Sequence, residues 1–176
     1  MDFFEVVRTR QSIRAFTAQP IEPEKLQQLL DAINRAPSAG NLQAYEIYAV
    51  TNLVVLNKLV AASRLRTRGQ DYITQAPIVL VFCANAARSA QRYVERGKTL
   101  YCVQDATIAC AYAQLAATAL GLATVWIGAF DEEVVRRAID VSGDLRPVAI
   151  LPIGYAAETP DRSARRSLDD LIHHVD

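Results

Sequence analysis

The sequence predicts one domain that mixes α-helices with β-strands and covers its central strands on both faces. Three observations carry that reading. The chain has 176 residues, a length at which one core can bury roughly 70% of the surface that the unfolded chain exposes. Of these residues 51% are apolar and 22% charged, too apolar a balance for disorder. Segments with helical apolar periodicity alternate with short runs rich in β-branched and aromatic residues, one of them apolar without interruption.

Taken in order, Phe3, Phe4, Val6 and Val7 make a first amphipathic turn or two, followed by the basic stretch RTRQSIRAF around Ser12. Pro23 suits a first helical position, and Leu26, Leu29, Leu30 and Ile33 fall on one face that ends before Pro37. PSAGNLQ, 37–43, reads as a loop. Tyr45 to Val50 and Ile78 to Phe82 are expected as central strands, and 53–64 and 86–96 as helices. Leu100 to Leu120 is an alanine-rich helix, apolar nearly all round, closed by Gly121 at the usual C-cap position. Such a helix is buried on most sides, under a sheet or against a second subunit. Residues 123–127 read as a strand, Asp131 to Ile139 as a short helix with acids at its positive end, and Pro147 to Ile153 as another strand. A polar tail from Glu158 carries Pro160, Arg162, Arg165 and Arg166 and ends in an amphipathic turn.

Lys plus Arg and Asp plus Glu both total 19, so no global field draws in nucleic acid or an anionic membrane, and any anion site is local. The start MDFFEVVRTR lacks the apolar core of a secretory signal, and no stretch is long enough to span a membrane, so a cytoplasmic protein is expected. Cys83, Cys102 and Cys110 form no C-x-x-C pair and receive no chemistry. The two histidines, His173 and His174, lie side by side without metal-ligand spacing, and no G-x-S-x-G elbow is present. Metal and hydrolytic nucleophile chemistry are therefore not expected. The chain also lacks the G-x-G-x-x-G turn and the G-x-x-x-x-G-K-[ST] loop.

Three segments carry groups suited to a phosphorylated ligand with a polar ring edge. In Arg10-Gln11-Ser12-Ile13-Arg14 an extended backbone presents two guanidinium forks and a hydroxyl on one side, which fits a phosphate; surface ion pairs are the alternative. In Pro37-Ser38-Ala39-Gly40-Asn41-Leu42-Gln43 the amides match an alternating donor and acceptor edge, although the same residues also make a simple turn. The tail arginines Arg162, Arg165 and Arg166 either add charge to the same anion or remain solvated. Tyr72, Tyr93 and Tyr101 are candidates for an aromatic wall or for core packing.

RQSIRAF at 10–16, APSAGNLQ at 36–43, AP at 76–77, DATIACAYAQLAATALGLATVWIGAF at 105–130, LPIGY at 151–155 and RRSLDDLIHH at 165–174, in this order and spacing, make the chain resemble a short member of the FMN-dependent nitroreductase family. The resemblance runs nearly end to end. It implies a single FMN-binding domain over 1–176 of α+β class, with a mixed, mostly antiparallel central sheet flanked by helices on both faces, in an intertwined homodimer. It further implies that electrons pass from NADH or NADPH through non-covalently held FMN to a nitroaromatic, quinone or similar small-molecule acceptor, in ping-pong fashion. Arg10, Gln11, Ser12 and Arg14 would hold the phosphate and ribityl end, with Arg165 or Arg166. Pro37, Ser38, Ala39, Asn41 and Gln43 would line the flavin. Ile127, Gly128 and Ala129 would sit beside the ring, a backbone N–H pointing at the nitrogen that receives the hydride. No side chain acts as catalytic acid, since the flavin carries the chemistry. Ser167 stands where the family often has proline after the basic pair, which leaves the choice between Arg165 and Arg166 open, and the substrate-shaping excursion falls at 64–100. An FMN carrier without turnover, or a site for another phosphorylated molecule, are the alternatives.

Overall fold

Strand β2 (Ile78–Asn85) organises the chain, because from Ile78 to Ala84 every residue is buried. The computed structural model describes residues 1–63, 70–141 and 143–175. In it, β1 (Tyr45–Val50), β2, β3 (Ala123–Thr124) and β4 (Leu145–Gly154) form an antiparallel sheet in the order β1-β2-β4-β3. Side chains alternate between the faces of a strand. Val79, Val81 and Cys83 point to one side, where they pack with α3 (Leu53–Ser63) and α6 (Glu132–Ala138) through Leu56, Leu59 and Val135. Ile78, Leu80 and Phe82 point to the other, against Leu29 and Ile33 of α2 (Pro23–Asn34) and Ala109, Cys110, Ala113 and Ala117 of α5 (Cys102–Ala119). Helices thus cover both faces, as the uninterrupted apolar run requires. The end expected for α3 at residue 64 lies outside the described residues.

The first basic stretch extends the sheet. After α1 (Phe3–Thr9), Ser12 bridges Thr124 of β3 in parallel, while Phe16 bridges Ala156 beyond β4 in antiparallel sense. The sheet is therefore mixed and mostly antiparallel, in an α+β chain. The strand expected over 123–127 is interrupted: β3 ends at Thr124, and Ile127 rejoins β4 only through reciprocal backbone bonds with Ile150 (2.9 and 3.0 Å). A β-bulge opposite Phe82 and Cys83 takes up Val148, next to Pro147, whose missing N–H suits an irregular position.

Two glycines are required by the backbone. Gly121, at φ +74°, closes α5 with Leu122 N–H donating to Ala117 O (2.8 Å) and Gly121 N–H to Thr118 O (3.1 Å), the two bonds of a Schellman cap. Gly97 lies in a π-helical turn (Gly97–Tyr101) between α4 (Ala86–Arg96) and α5, where a Cβ would come within 2.5 Å of Ser89 O. The long helix expected from Leu100 thus begins as a wide turn, and α4 folds back against it.

The cysteines lie in this packing. Burial pushes the Cys83 thiol up to about 12 and also raises Cys102 and Cys110. Since the thiolate is the reactive form, a disulfide reagent at pH 8 is expected to label no cysteine in the native protein and all three once it is unfolded. Stoichiometric labelling of the folded protein would contradict this packing.

Candidate functional site

The parallel bridge at Ser12 decides where the basic side chains go. Ile13 N–H donates to Thr124 O (3.0 Å) and its side chain enters the core, so Arg10, Ser12 and Arg14, at alternate positions, turn the other way. There they line a cleft of about 570 Å³ whose opposite wall is the returning tail, with Arg162 and Arg165. Arg8 also reaches it, so five arginines face a single lining carboxylate, Asp161. Burial, and then the charge of Arg165 opposite, hold the Arg10 guanidinium below its ordinary value. Among the described residues neither Arg10 nor Arg165 forms an ion pair. Two like charges facing one another in a cleft are stabilised by an anion between them.

The cleft separates the neighbouring tail arginines. Arg166 pairs with Asp170 (Nε to Oδ2, 2.7 Å) and donates to its carbonyl (2.6 Å), across the cap of the short α7 (Leu168–Leu171), and it does not line the cleft. Gln11 lies against the tail: with its amide nitrogen turned toward Pro160 O (3.0 Å) its oxygen accepts from Arg162 Nε (3.2 Å), which satisfies both atoms.

The 37–43 segment is a tight and strained loop. A 3-10 turn (Ala39–Asn41) places Gly40, Asn41 and Gln43 at φ of +56°, +57° and +43°. Side-chain-bearing residues in this region cost of order 1–3 kcal/mol each unless their surroundings impose them. Here the surroundings do so from three directions. Inside the loop, Ser38 Oγ accepts from Gln43 N–H (2.9 Å), and the Gln43 amide nitrogen donates to Asn41 Oδ1 (2.6 Å). Below it, Asp105 Oδ1 accepts from Ala39 N–H (2.9 Å). Above it, Arg92 donates to Gly40 O (3.3 Å) and Arg88 to Leu42 O. Asp105 is buried, and its second oxygen has no partner among the described residues.

Around 127–129 the expected residues divide. Ile127 is buried and spends both backbone groups on Ile150, so it is a support. The N–H groups of Gly128 and Ala129 are bonded to nothing among the described residues, and Gly128 lines a second cleft of about 200 Å³ with Val103, Thr107, Phe130 and Arg146. One chain therefore brings Arg10, Gln11, Ser12, Arg14 and Arg165 together, but keeps Pro37, Ser38, Ala39, Asn41 and Gln43, and separately Gly128, outside that cleft. Of the tyrosines, Tyr72 is buried, while Tyr93 and Tyr101 are half-buried and meet edge to face.

Sequence reasoning missed Asp105 and the two arginines of α4. Asp105 had a signal, as the one charged residue in α5. Arg88 and Arg92 had none, because their partners lie 46 and 52 residues away.

Residues 7–67 and 56–155 match the model of the Nitroreductase family. The chain is 32% identical over 178 residues to an FMN reductase (NAD(P)H) of Bacillus subtilis, covering 92% of this chain and 69% of that protein. A putative NADH dehydrogenase/NAD(P)H nitroreductase of Methanothermobacter thermautotrophicus is 29% identical over 164 residues, 91% of this chain and 80% of its own. Among solved structures, the NADPH:FMN oxidoreductase from Vibrio harveyi complexed with NAD+ superposes with a TM-score of 0.87 at 26% identity, over 98% of this chain and 76% of that one.

Removing the Asp105 carboxylate leaves the Ala39 amide without its acceptor. Asp105→Ala is expected to cost about 1–3 kcal/mol in urea unfolding and to speed amide exchange at Ala39, with Asp105→Asn, which keeps an acceptor oxygen, closer to wild type. Unchanged protection at Ala39 in the alanine variant would refute this role.

Proposed function

This chain belongs to the nitroreductase family, and from that premise we propose that it is an NAD(P)H-dependent flavin oxidoreductase, a single FMN-binding domain over 1–176. In this reading it passes electrons to a nitroaromatic, quinone or similar organic acceptor, with donor and acceptor using one site in turn. The observation that carries the proposal is the cleft in which Arg10 faces Arg165 beside Ser12 and Arg14. Its excess of guanidinium groups fits a phosphate.

The residues present also fit the rest of FMN. Arg10, Ser12, Arg14 and Arg165 would hold the phosphate, and Gln11 keeps the tail in place for them. The 37–43 loop offers the exposed Asn41 and half-buried Gln43 amides, and Gly128 and Ala129 offer unbonded N–H groups to a polar ring edge. FMN, when bound, supplies the two-electron redox chemistry. The chain contributes binding, orientation and electrostatics, and needs neither a catalytic acid nor a metal.

The separation of these pieces on one chain supports a homodimer, in which one copy's loop meets the other's cleft. Two apolar surfaces favour it. Phe3, Phe4 and Val7 on α1 are exposed, as are Leu168, Leu171 and Ile172 on a tail whose residues 161–175 are all exposed. A second copy would cover such patches and would also take the open side of α5 near Tyr112. No helix among the described residues is long and apolar enough to cross a membrane, and the proposed location is cytoplasmic.

The proposal is tested on the purified protein by its visible spectrum, then by anaerobic addition of NADH and NADPH. Flavin bands bleached by a nicotinamide and restored by a quinone or nitroaromatic are expected; a protein that stays colourless after incubation with FMN would overturn it, and bands that no nicotinamide bleaches would point to a flavin carrier. Arg165→Ala is expected to weaken FMN binding roughly ten- to a hundredfold, Arg14→Ala to lower FMN occupancy more than turnover of the occupied fraction, and Arg166→Ala to leave affinity within about twofold. Equal losses at Arg165 and Arg166 in an FMN titration would refute the division of the tail arginines.

A further inference from the structure

Helix α4 and the π-helical turn after it form a cationic ridge outside the Arg10–Arg165 cleft. Arg88, Arg92, Arg96 and Lys98 stand there against one acid, Glu95. None of the four cations forms an ion pair with a carboxylate among the described residues. Arg88 and Arg92, one turn apart, share a face and reach down to the carbonyls of Leu42 and Gly40. Beyond them the helix breaks at Val94, whose φ of +48° is rare for a β-branched residue. The break swings Arg96 onto Tyr101, with the guanidinium 5.4 Å from the ring centre and its Nε donating to the hydroxyl at 3.0 Å. Arg92 lies over Tyr93 at 5.5 Å, and the two tyrosines meet edge to face at 5.0 Å.

Free arginines are costly to order, but Arg92 and Arg96 are already held against aromatic rings, and both remain exposed. Such prepositioned forks bind phosphate with less entropy loss than mobile side chains. The uncommon backbone at Val94 lies between them, and the Tyr93–Tyr101 contact joins the two rings that hold them; strain of this kind is retained where the surroundings have a use for it.

We propose that Arg92 and Arg96, with Lys98, bind the phosphate groups of the nicotinamide dinucleotide, setting the preference for dinucleotide over uncharged donors. This rests on the reading of the 37–43 loop as the flavin's edge. A donor with its nicotinamide on the flavin face can extend its phosphates past that edge, and the ridge lies directly against the loop. The Arg10–Arg165 cleft is a separate site and stays with the flavin phosphate.

The test compares three donors on the FMN-loaded protein: NADPH, NADH and dihydronicotinamide riboside, which carries no phosphate. The variant R92Q/R96Q is expected to lower the ratio of kcat/KM for the dinucleotide to that for the riboside by roughly tenfold or more. Loss with NADPH alone assigns the ridge to the 2′-phosphate, and loss with both dinucleotides to the pyrophosphate; either supports the proposal. R96Q alone spares the 39–43 loop and is expected to lower the ratio at least about threefold, which separates phosphate binding from loop support. Unchanged ratios in both variants, with the flavin spectrum intact, would overturn the ridge and leave the flavin assignment standing. A wild-type protein that binds no FMN, or whose flavin no donor reduces, would overturn the flavin reading and this inference with it.

Discussion

Everything that could bind a ligand here hangs from the edges of one buried strand pair. β2 and β4 are covered on both faces, so neither can take a polar ligand without breaking the core. Chemistry is pushed to the rim. The basic stretch clips onto β3 at one edge, the 37–43 loop leads into β1 at the other, and the 127–129 segment leaves the sheet where β3 is interrupted. The order β1-β2-β4-β3 sets these two edges apart within one chain. That is a geometric reason for a second copy: a ligand that needs both edges cannot find them on one sheet.

Charge is arranged by the same logic. The chain is neutral as a whole, yet it gathers arginines in a cleft at one place and along a ridge at another. Elsewhere on the body Arg136 is matched by Glu133 at 3.1 Å and Arg146 by Glu132 at 2.8 Å. The unmatched ones lower the stability of the empty protein through repulsion, and an anion that relieves it binds the folded state only. Such a ligand stabilises the fold by about 2.7 kcal/mol at a hundred times its dissociation constant. A neutral overall composition therefore still leaves room for local phosphate sites.

How far the sequence revealed this follows from the range of each signal. β2 was legible because an uninterrupted apolar run has no other stable place, and α2 because four residues repeat on one face. The shared side of Arg10, Ser12 and Arg14 was legible from alternation, once an extended backbone was assumed. The interruption after Thr124 was not, since ATVWI looks the same whether or not each residue is paired. Nor was it legible which of Arg165 and Arg166 lines the cleft, because adjacent side chains diverge and Arg166 is drawn aside by Asp170 four residues on. The hold on the loop by Arg88 and Arg92 depends on α4 folding back at Gly97, a long-range event with only one glycine to announce it.

The absence of a dinucleotide fingerprint then has a physical explanation. A Gly-rich turn binds pyrophosphate through backbone N–H groups at a helix N-terminus, which fixes the nucleotide in one place. In the two sites proposed for this chain the phosphate-binding groups are side chains on an extended strand, a returning tail and a kinked helix. Side-chain forks at the surface make fewer simultaneous bonds and release their ligand readily. In the proposed reading a resident cofactor is held in the cleft between the strand and the returning tail, which flank it on two sides. A donor that must leave before an acceptor takes its place is better served by the exposed ridge, where strain at Val94 is repaid by orienting arginines without enclosing what they bind.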